Sequence, residues 1–431
     1  MRSALRRGLL SGAPRTLTPR TLTLTPRRAY RPPSTSFTRA PPARRSLSLA
    51  LPKAAAPPAA VAGDRAVAYW LFGCGGLVAG MVSVGGLTRL TRSGLSMTDW
   101  KLQGGLPPMN RADWEREFAR YKLYPEWQQR QSMTLDEFKY IYAWEYGHRM
   151  LGRVVGLAFG LPLAYFWTRG RLTPWLKPRA MALLGLGGAQ GLIGWWMVRS
   201  GLNKDLLPDR QKQDVRVSPY RLATHLTMAF ITYSGLVWCG LEQLGGQKAI
   251  GAGLQHAAKL TPVARGAACL TLVTAISGAF VAGNDAGMAF NVWPYMVDDR
   301  DIDGEALFVP PDLLELQPVW RNMFENTACV QFDHRMLAYA TALSGTGLFA
   351  LARSGAWHAL PLVTRRFVAA GALAVVGQAS LGVATLLYVV PIELAAAHQA
   401  GAIALLTCAL GSAHSLARAA AVPAVVVAAA L

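Results

Sequence analysis

Eight stretches of this chain are apolar over the thickness of a lipid bilayer. Runs without Lys, Arg, Asp or Glu lie at 66–88, 180–198, 222–241, 266–284, 367–392 and 394–417. Two more, near 141–168 and 327–352, are apolar except for a charged first turn or two. A helix needs about 20 such residues, at about 1.5 Å rise each, to cross the hydrocarbon core. In lipid a spanning segment also has to satisfy its own backbone N–H and C=O groups. The sequence therefore predicts an all-α membrane protein with eight transmembrane helices. Pro391 and Glu393 mark a tight turn between the last two, and the apolar segment 421–431 is too short to cross again.

The formal charge of +20 resembles that of a nucleic-acid binder until its distribution is read. Residues 1–63 hold 11 Arg and one Lys with no Asp or Glu, and so supply +12 of it. Arg-rich, Ser/Thr-rich and acid-free is the composition of an organelle transit peptide, and no nucleic-acid partner is expected. The loops at 168–179 and 353–366 are basic and acid-free, whereas the loop at 285–326 has nine acids against two Arg. The positive-inside rule then puts the basic loops and both termini in the matrix of a mitochondrion, across its inner membrane. The long loops at 89–140, 199–221 and 285–326 face the intermembrane space. The five cysteines all fall in or beside apolar segments, with no Cys-x-x-Cys-His and no loop pair, and are expected to be small buried apolar residues.

The chain repeats itself. Glu-Tyr-Gly-His-Arg-Met-Leu at 145–151 matches Gln-Phe-Asp-His-Arg-Met-Leu at 331–337. Gln190 and Gly194 match Gln378 and Gly382, Leu-Ala-Thr-His at 222–225 matches Ala-Ala-Ala-His at 395–398, and Ser93-Gly94…Trp100 matches Ala286-Gly287…Trp293. Each repeat holds four helices, and an even number forces the copies to point the same way. The expected architecture is two parallel-repeat four-helix bundles, over 64–245 and 246–420, with sites built from side chains on facing helices.

His148, His225, His334 and His398 recur at equivalent positions, one to two turns into the second, fourth, sixth and eighth spans. All four imidazoles thus fall at similar depth in one leaflet, where a polar ring is costly and usually functional. Two imidazoles facing each other across a bundle suit six-coordinate haem iron. Zinc prefers four ligands, often with Cys or carboxylate, and no such cluster is visible. Arg149 and Arg335 follow two of the histidines and are candidates for bidentate contact with haem propionates. His256, His358 and His414 lie near matrix ends without counterparts and are read as structural or exposed. The repeats differ at one telling position: Glu145 stands three residues before His148, on the same helix face, where the second repeat has Gln331. A carboxylate beside one haem only suggests that one haem is worked upon and the other is a cofactor.

These blocks, together with Gly85-Gly-Leu-Thr-Arg89-Leu-Thr-Arg-Ser-Gly94-Leu-Ser and Ser277-Gly-Ala-Phe-Val-Ala-Gly283, resemble the haem A synthase family from about residue 66 to 412. The resemblance implies oxidation of the C8 methyl of haem O, through an alcohol, to the formyl group of haem A for cytochrome c oxidase. It implies that His334 and His398 ligate a resident haem b, that His148 and His225 ligate the substrate haem, and that Glu145 lies near the reacting methyl. The implied partners are a ferredoxin and its reductase on the matrix side, haem O synthase, oxidase assembly factors, the lipid bilayer and a second copy of the chain. The family commonly has Glu at the position of Arg92 and an apolar residue at that of Asn284. Many bacterial members carry paired loop cysteines that are missing here. Two other classes fit less well. A di-haem b-type electron-transfer cytochrome should place its haems in opposite leaflets, and a duplicated transporter should show paired Gly/Pro breaks at the midplane.

Overall fold

The structure, a computed structural model, describes residues 63–101, 103–202, 215–298 and 306–421. The expected transit peptide and the apolar tail beyond residue 421 lie outside the described residues. The described chain is helical: α1 (Arg65–Leu90), α2 (Arg111–Tyr121), α3 (Leu135–Thr168), α4 (Leu176–Leu202), α5 (Pro219–Leu244), α6 (Ala252–Gly283), α7 (Asn322–Glu325), α8 (Thr327–Arg353), α9 (Leu362–Leu387) and α10 (Ile392–Ala420). Among the described residues the only β pairing is an isolated bridge between Val297 and Leu307. Seven helices, α1, α3, α4, α5, α6, α9 and α10, are long and apolar enough to span a bilayer, which makes this a multi-pass membrane protein. The eighth expected span is present as α8, but it falls short of that apolarity. Asp333, His334 and Arg335 stand together within it.

Local sequence sets the helix ends. Asp64 caps α1 through Ala66 N, and Asn326 caps α8 through the N–H groups of Ala328 and Cys329. Thr134 and Glu137 form a capping box that starts α3 at Leu135, two turns before the expected 141. The extra turns carry Phe138 out of the apolar span. With Ile141 and Tyr142 it meets Phe118 and Tyr121 of α2 in an aromatic core of its own, edged by Trp114 and Trp127.

In the first repeat α1 packs on α3 and α5, and α4 closes the ring by packing on α3 and α5. In the second, α6 packs on α8 and α10, and α9 closes the ring by packing on α8 and α10. The repeats meet along α1, α5, α6 and α10. Where they meet, Asp285 accepts from Arg89 and Arg216 of the first repeat, each at 2.7 Å. Asp285 and its repeat counterpart Arg92 share the left-handed conformation, at φ 50° and 51°. The conformation of the helix exit is thus duplicated while its charge is reversed, and only the second copy bridges the repeats.

Four cysteines are buried or half-buried as expected; the correction is Cys269, which is exposed on α6. His414 is buried, with Nε2 3.3 Å from Glu242 Oε1, and His256 Nε2 lies 2.9 Å from the Ala352 carbonyl, so both serve structure.

Candidate functional site

Each of the four histidines faces a glycine on the long helix before its own. His148 of α3 meets Gly85 of α1, His225 of α5 meets Gly194 of α4, His334 of α8 meets Gly278 of α6, and His398 of α10 meets Gly382 of α9. A Cβ on these glycines would stand 2.9, 3.2, 3.1 and 2.9 Å from the imidazole Cε1. At 2.9 Å a real Cβ is scarcely ever found, and at 3.1–3.2 Å the ring would have to shift by a few tenths of an ångström, so the missing side chain is what seats the imidazole where it is. Helices α4 and α9 add a second shared device. Gln190 Nε2 donates to the His225 carbonyl at 3.2 Å, and Gln378 Nε2 to the His398 carbonyl at 2.8 Å.

His225, His334 and His398 lie six, seven and six residues beyond the first residue of their helices. The early start of α3 leaves His148 thirteen residues along instead, deeper in its helix than expected but in the same notch. The rings of His334 and His398 are 6.5 Å apart between centres and nearly perpendicular, at 87°. An ion held end-on between two imidazole nitrogens, at about 2 Å from each, sets ring centres roughly 6 Å apart. Among the described residues no group of three or more His, Cys, Asp or Glu comes together to hold a metal. The donor set is therefore imidazole pairs, which fits a haem iron whose other four ligands come from the porphyrin.

Glu145 is buried and fully engaged. Its Oε2 accepts from Ser96 Oγ and Met97 N, both at 2.7 Å, and its Oε1 from Arg149 Nη2 at 2.5 Å. Arg149 also donates to the carbonyls of Met97 and Asp99, each at 2.8 Å. The second repeat builds the same clamp with an amide. Gln331 Oε1 accepts from Arg335 Nη2 at 2.9 Å, Gln331 Nε2 donates to the Ala286 carbonyl at 2.7 Å, and Arg335 donates to the carbonyls of Tyr295 and Phe290. Phe290 is the repeat counterpart of Met97. The pair at 145/149 or 331/335 thus ties the loop after the first helix of each repeat to the second long helix. That commits most of the guanidinium N–H groups expected to meet propionates. Arg335 Nε, buried with no side-chain or backbone acceptor, is still to be satisfied.

Sequence reasoning named the histidines, the glutamines and Glu145. It missed Ser96 and Ser277, the histidine-facing role of the glycines, and the Asp285 bridge. The glycine signal was present, since Gly194 and Gly382 align in the repeat and Gly85 and Gly278 both precede the loop blocks.

Helices long and apolar enough to cross a membrane, carrying imidazoles at four repeat-related glycine notches, define a multi-pass helical membrane protein with a duplicated histidine site. The sequence matches the cytochrome oxidase assembly protein family, COX15-CtaA, over residues 68–410, and the chain belongs to that family. Heme A synthase COX15 of Bos taurus is 46% identical over 362 residues, covering 83% of this chain and 83% of its own length. Heme A synthase of Rhodospirillum centenum is 46% identical over 361 residues, covering 83% and 90%. The Heme A synthase-mitochondrial ferredoxin fusion protein of Schizosaccharomyces pombe is 42% identical over 375 residues, covering 82% of this chain and 60% of its own.

Proposed function

We propose that this chain is a haem A synthase, oxidising the C8 methyl of haem O to a formyl group in two successive two-electron steps. The observation that carries the reading is the duplicated set of glycine-seated imidazoles with a carboxylate beside one copy only. His148 and His225 hold the substrate haem O and release it as haem A. His334 and His398 hold a resident haem b, which when bound supplies one-electron transfer. Glu145 contributes negative charge near the methyl, where positive charge builds as electrons leave. Its three hydrogen-bond donors hold it in place. Arg335, through its free Nε, meets a propionate, and Arg149 contributes there less, because its Nη atoms already serve the loop.

The fold reading that goes with this is eight crossings, α8 included, as two parallel four-helix bundles over 64–245 and 246–420. The polar residues of α8 then face the bundle interior, where intramembrane charges are tolerated. The membrane is the mitochondrial inner one, with both termini in the matrix and residues 1–63 a cleaved import signal. A ferredoxin and its reductase exchange electrons with the protein on the matrix side, in keeping with the fused relative. Haem O synthase, oxidase assembly factors and a second copy of the chain are the remaining partners.

Haem extraction from the purified full chain tests the reading. Haem B together with haem O or haem A is expected, and haem B alone would replace it with an electron-carrying cytochrome. N-terminal sequencing of the mitochondrial protein should start near residue 60; an intact Met1 there would overturn the import signal.

A further inference from the structure

The four notches are alike, but the second nitrogen of each ring is not treated alike. The Nδ1 atoms of His148, His225 and His398 are buried without a hydrogen-bond partner. His334 Nδ1 alone has one, Ser277 Oγ at 2.7 Å. Ser277 Oγ also lies 2.8 Å from the Thr274 carbonyl, an acceptor for its single proton. With the hydroxyl proton on that carbonyl, Ser277 accepts from His334 and Nδ1 carries the ring proton. That fixes the tautomer, leaves Nε2 as the bare nitrogen for iron, and stops the ring from turning.

The hydroxyl does not stand alone. Thr274 Oγ1 lies 2.7 Å from Thr341 Oγ1, which joins α6 to α8 two turns along α8 from the histidine. The repeat counterparts of Thr274, Ser277 and Thr341 are Met81, Val84 and Val155. Three hydroxyls in the second repeat answer to three apolar side chains in the first. Val84 stands beside Gly85 as Ser277 stands beside Gly278, and offers His148 neither donor nor acceptor.

We propose that Ser277 is a positioning residue that would make His334 a lasting ligand of a bound haem, and that Val84 at the equivalent place would leave His148 able to let its haem go. The proposal rests on the haem ligation argued above and deepens it: retention and release are written into one repeat-related pair of residues. Chemically, a ligating imidazole that donates its other N–H is oriented and made more basic, and losing such a partner typically costs about 10–100-fold in metal affinity. A resident cofactor profits from that hold. A substrate haem held equally hard would leave as product too slowly.

The experiment uses the full-length detergent-solubilised protein, with apomyoglobin in excess as haem acceptor and haem b followed by absorbance. Ser277→Ala is expected to release haem b about 10–100-fold faster. It should also raise the haem b midpoint potential, because a less basic ligand favours the ferrous state. Ser277→Thr, which keeps the hydroxyl, should restore both. Val84→Ser should slow transfer of the first-repeat haem and leave the haem b potential unchanged. An Ala variant that holds haem b with wild-type release rate and potential overturns the role of Ser277 while leaving the ligands standing. Wild-type protein without haem b would overturn the ligand assignment itself, and this proposal with it.

Discussion

Along the seam between α1 and α3 the first repeat presents Met81, Val84 and Val155, whereas the matching seam between α6 and α8 presents Thr274, Ser277 and Thr341. The steric part of the histidine site is the same in both: a glycine, an imidazole edge, a glutamine on the neighbouring carbonyl. The polar part is not. Hydroxyls that hydrogen-bond across a helix pair in low dielectric fix its geometry, while Met and Val pack without direction. The loop clamps diverge in the opposite sense, with a carboxylate in the first repeat and an amide in the second. The repeats share the shape of the histidine notch and differ in the polar groups around it. One copy pairs a carboxylate with its arginine and leaves the imidazole seam apolar; the other pairs an amide with its arginine and lines the seam with hydroxyls.

Breaking the ligands separates the seats most sharply. His334→Ala or His398→Ala should strip haem b and destabilise the second repeat, while His148→Ala or His225→Ala should leave haem b in place. The check is the haem b spectrum of each purified variant, and identical loss of one haem from all four would show the seats to be equivalent.

Next in size is the carboxylate. Glu145→Gln keeps the shape and should lower haem A formation on the order of 100-fold or more, with haem O accumulating and haem b normal. The reverse change, Gln331→Glu, should have no such effect. Because Gln at 145 also sets an amide N–H against the donors of the loop clamp, protein abundance is measured alongside. Normal haem A at normal abundance would reduce Glu145 to a loop anchor.

Filling the notches tests what the repeats share. Gly85→Ala and Gly278→Ala each put a methyl about 3 Å from an imidazole carbon, an overpacking of about 1–3 kcal/mol. Melting in detergent should fall comparably for both, whereas only Gly278→Ala should weaken haem b retention. Equal retention in the two would blur the distinction between seats.

The smallest effect belongs to the aromatic core that α2 forms with the start of α3. Burial pushes the Glu126 carboxyl up to about 7, while Arg130, 4.0 Å away, pulls it down, with Tyr121, Glu145 and Arg92 nearby. A raised acid binds a proton in the folded state that it releases on unfolding. The stability this gives is therefore full below about 4.5 and lost as pH rises through about 7. Protection of the α2 amides, taken relative to their intrinsic base-catalysed exchange rate, should be lower at pH 8 than at pH 6 by on the order of 1 kcal/mol, and Glu126→Gln should flatten the difference. Unchanged protection across that range would place Glu126 in water.

Much of this molecule is local and so legible in the chain. Charge-free runs of helix length, the capping residues Asp64 and Asn326, and a His-Arg-Met-Leu block that appears twice are properties of neighbouring residues. The cost of a polar ring in lipid marks the four histidines without any knowledge of what they touch. What the chain left open lies between segments far apart. That Thr134 and Glu137 would extend α3 outward depended on α2 supplying an apolar face for Phe138. That Arg149 and Arg335 would spend their guanidiniums on loop carbonyls depended on how each loop folds back. Ser277 and His334 are separated by 57 positions, and their 2.7 Å contact exists only because α6 and α8 pack in one particular register. Composition and spacing fix which residues enter the membrane. Helix register, set by the fit of whole side-chain rows, decides which nitrogen meets which oxygen.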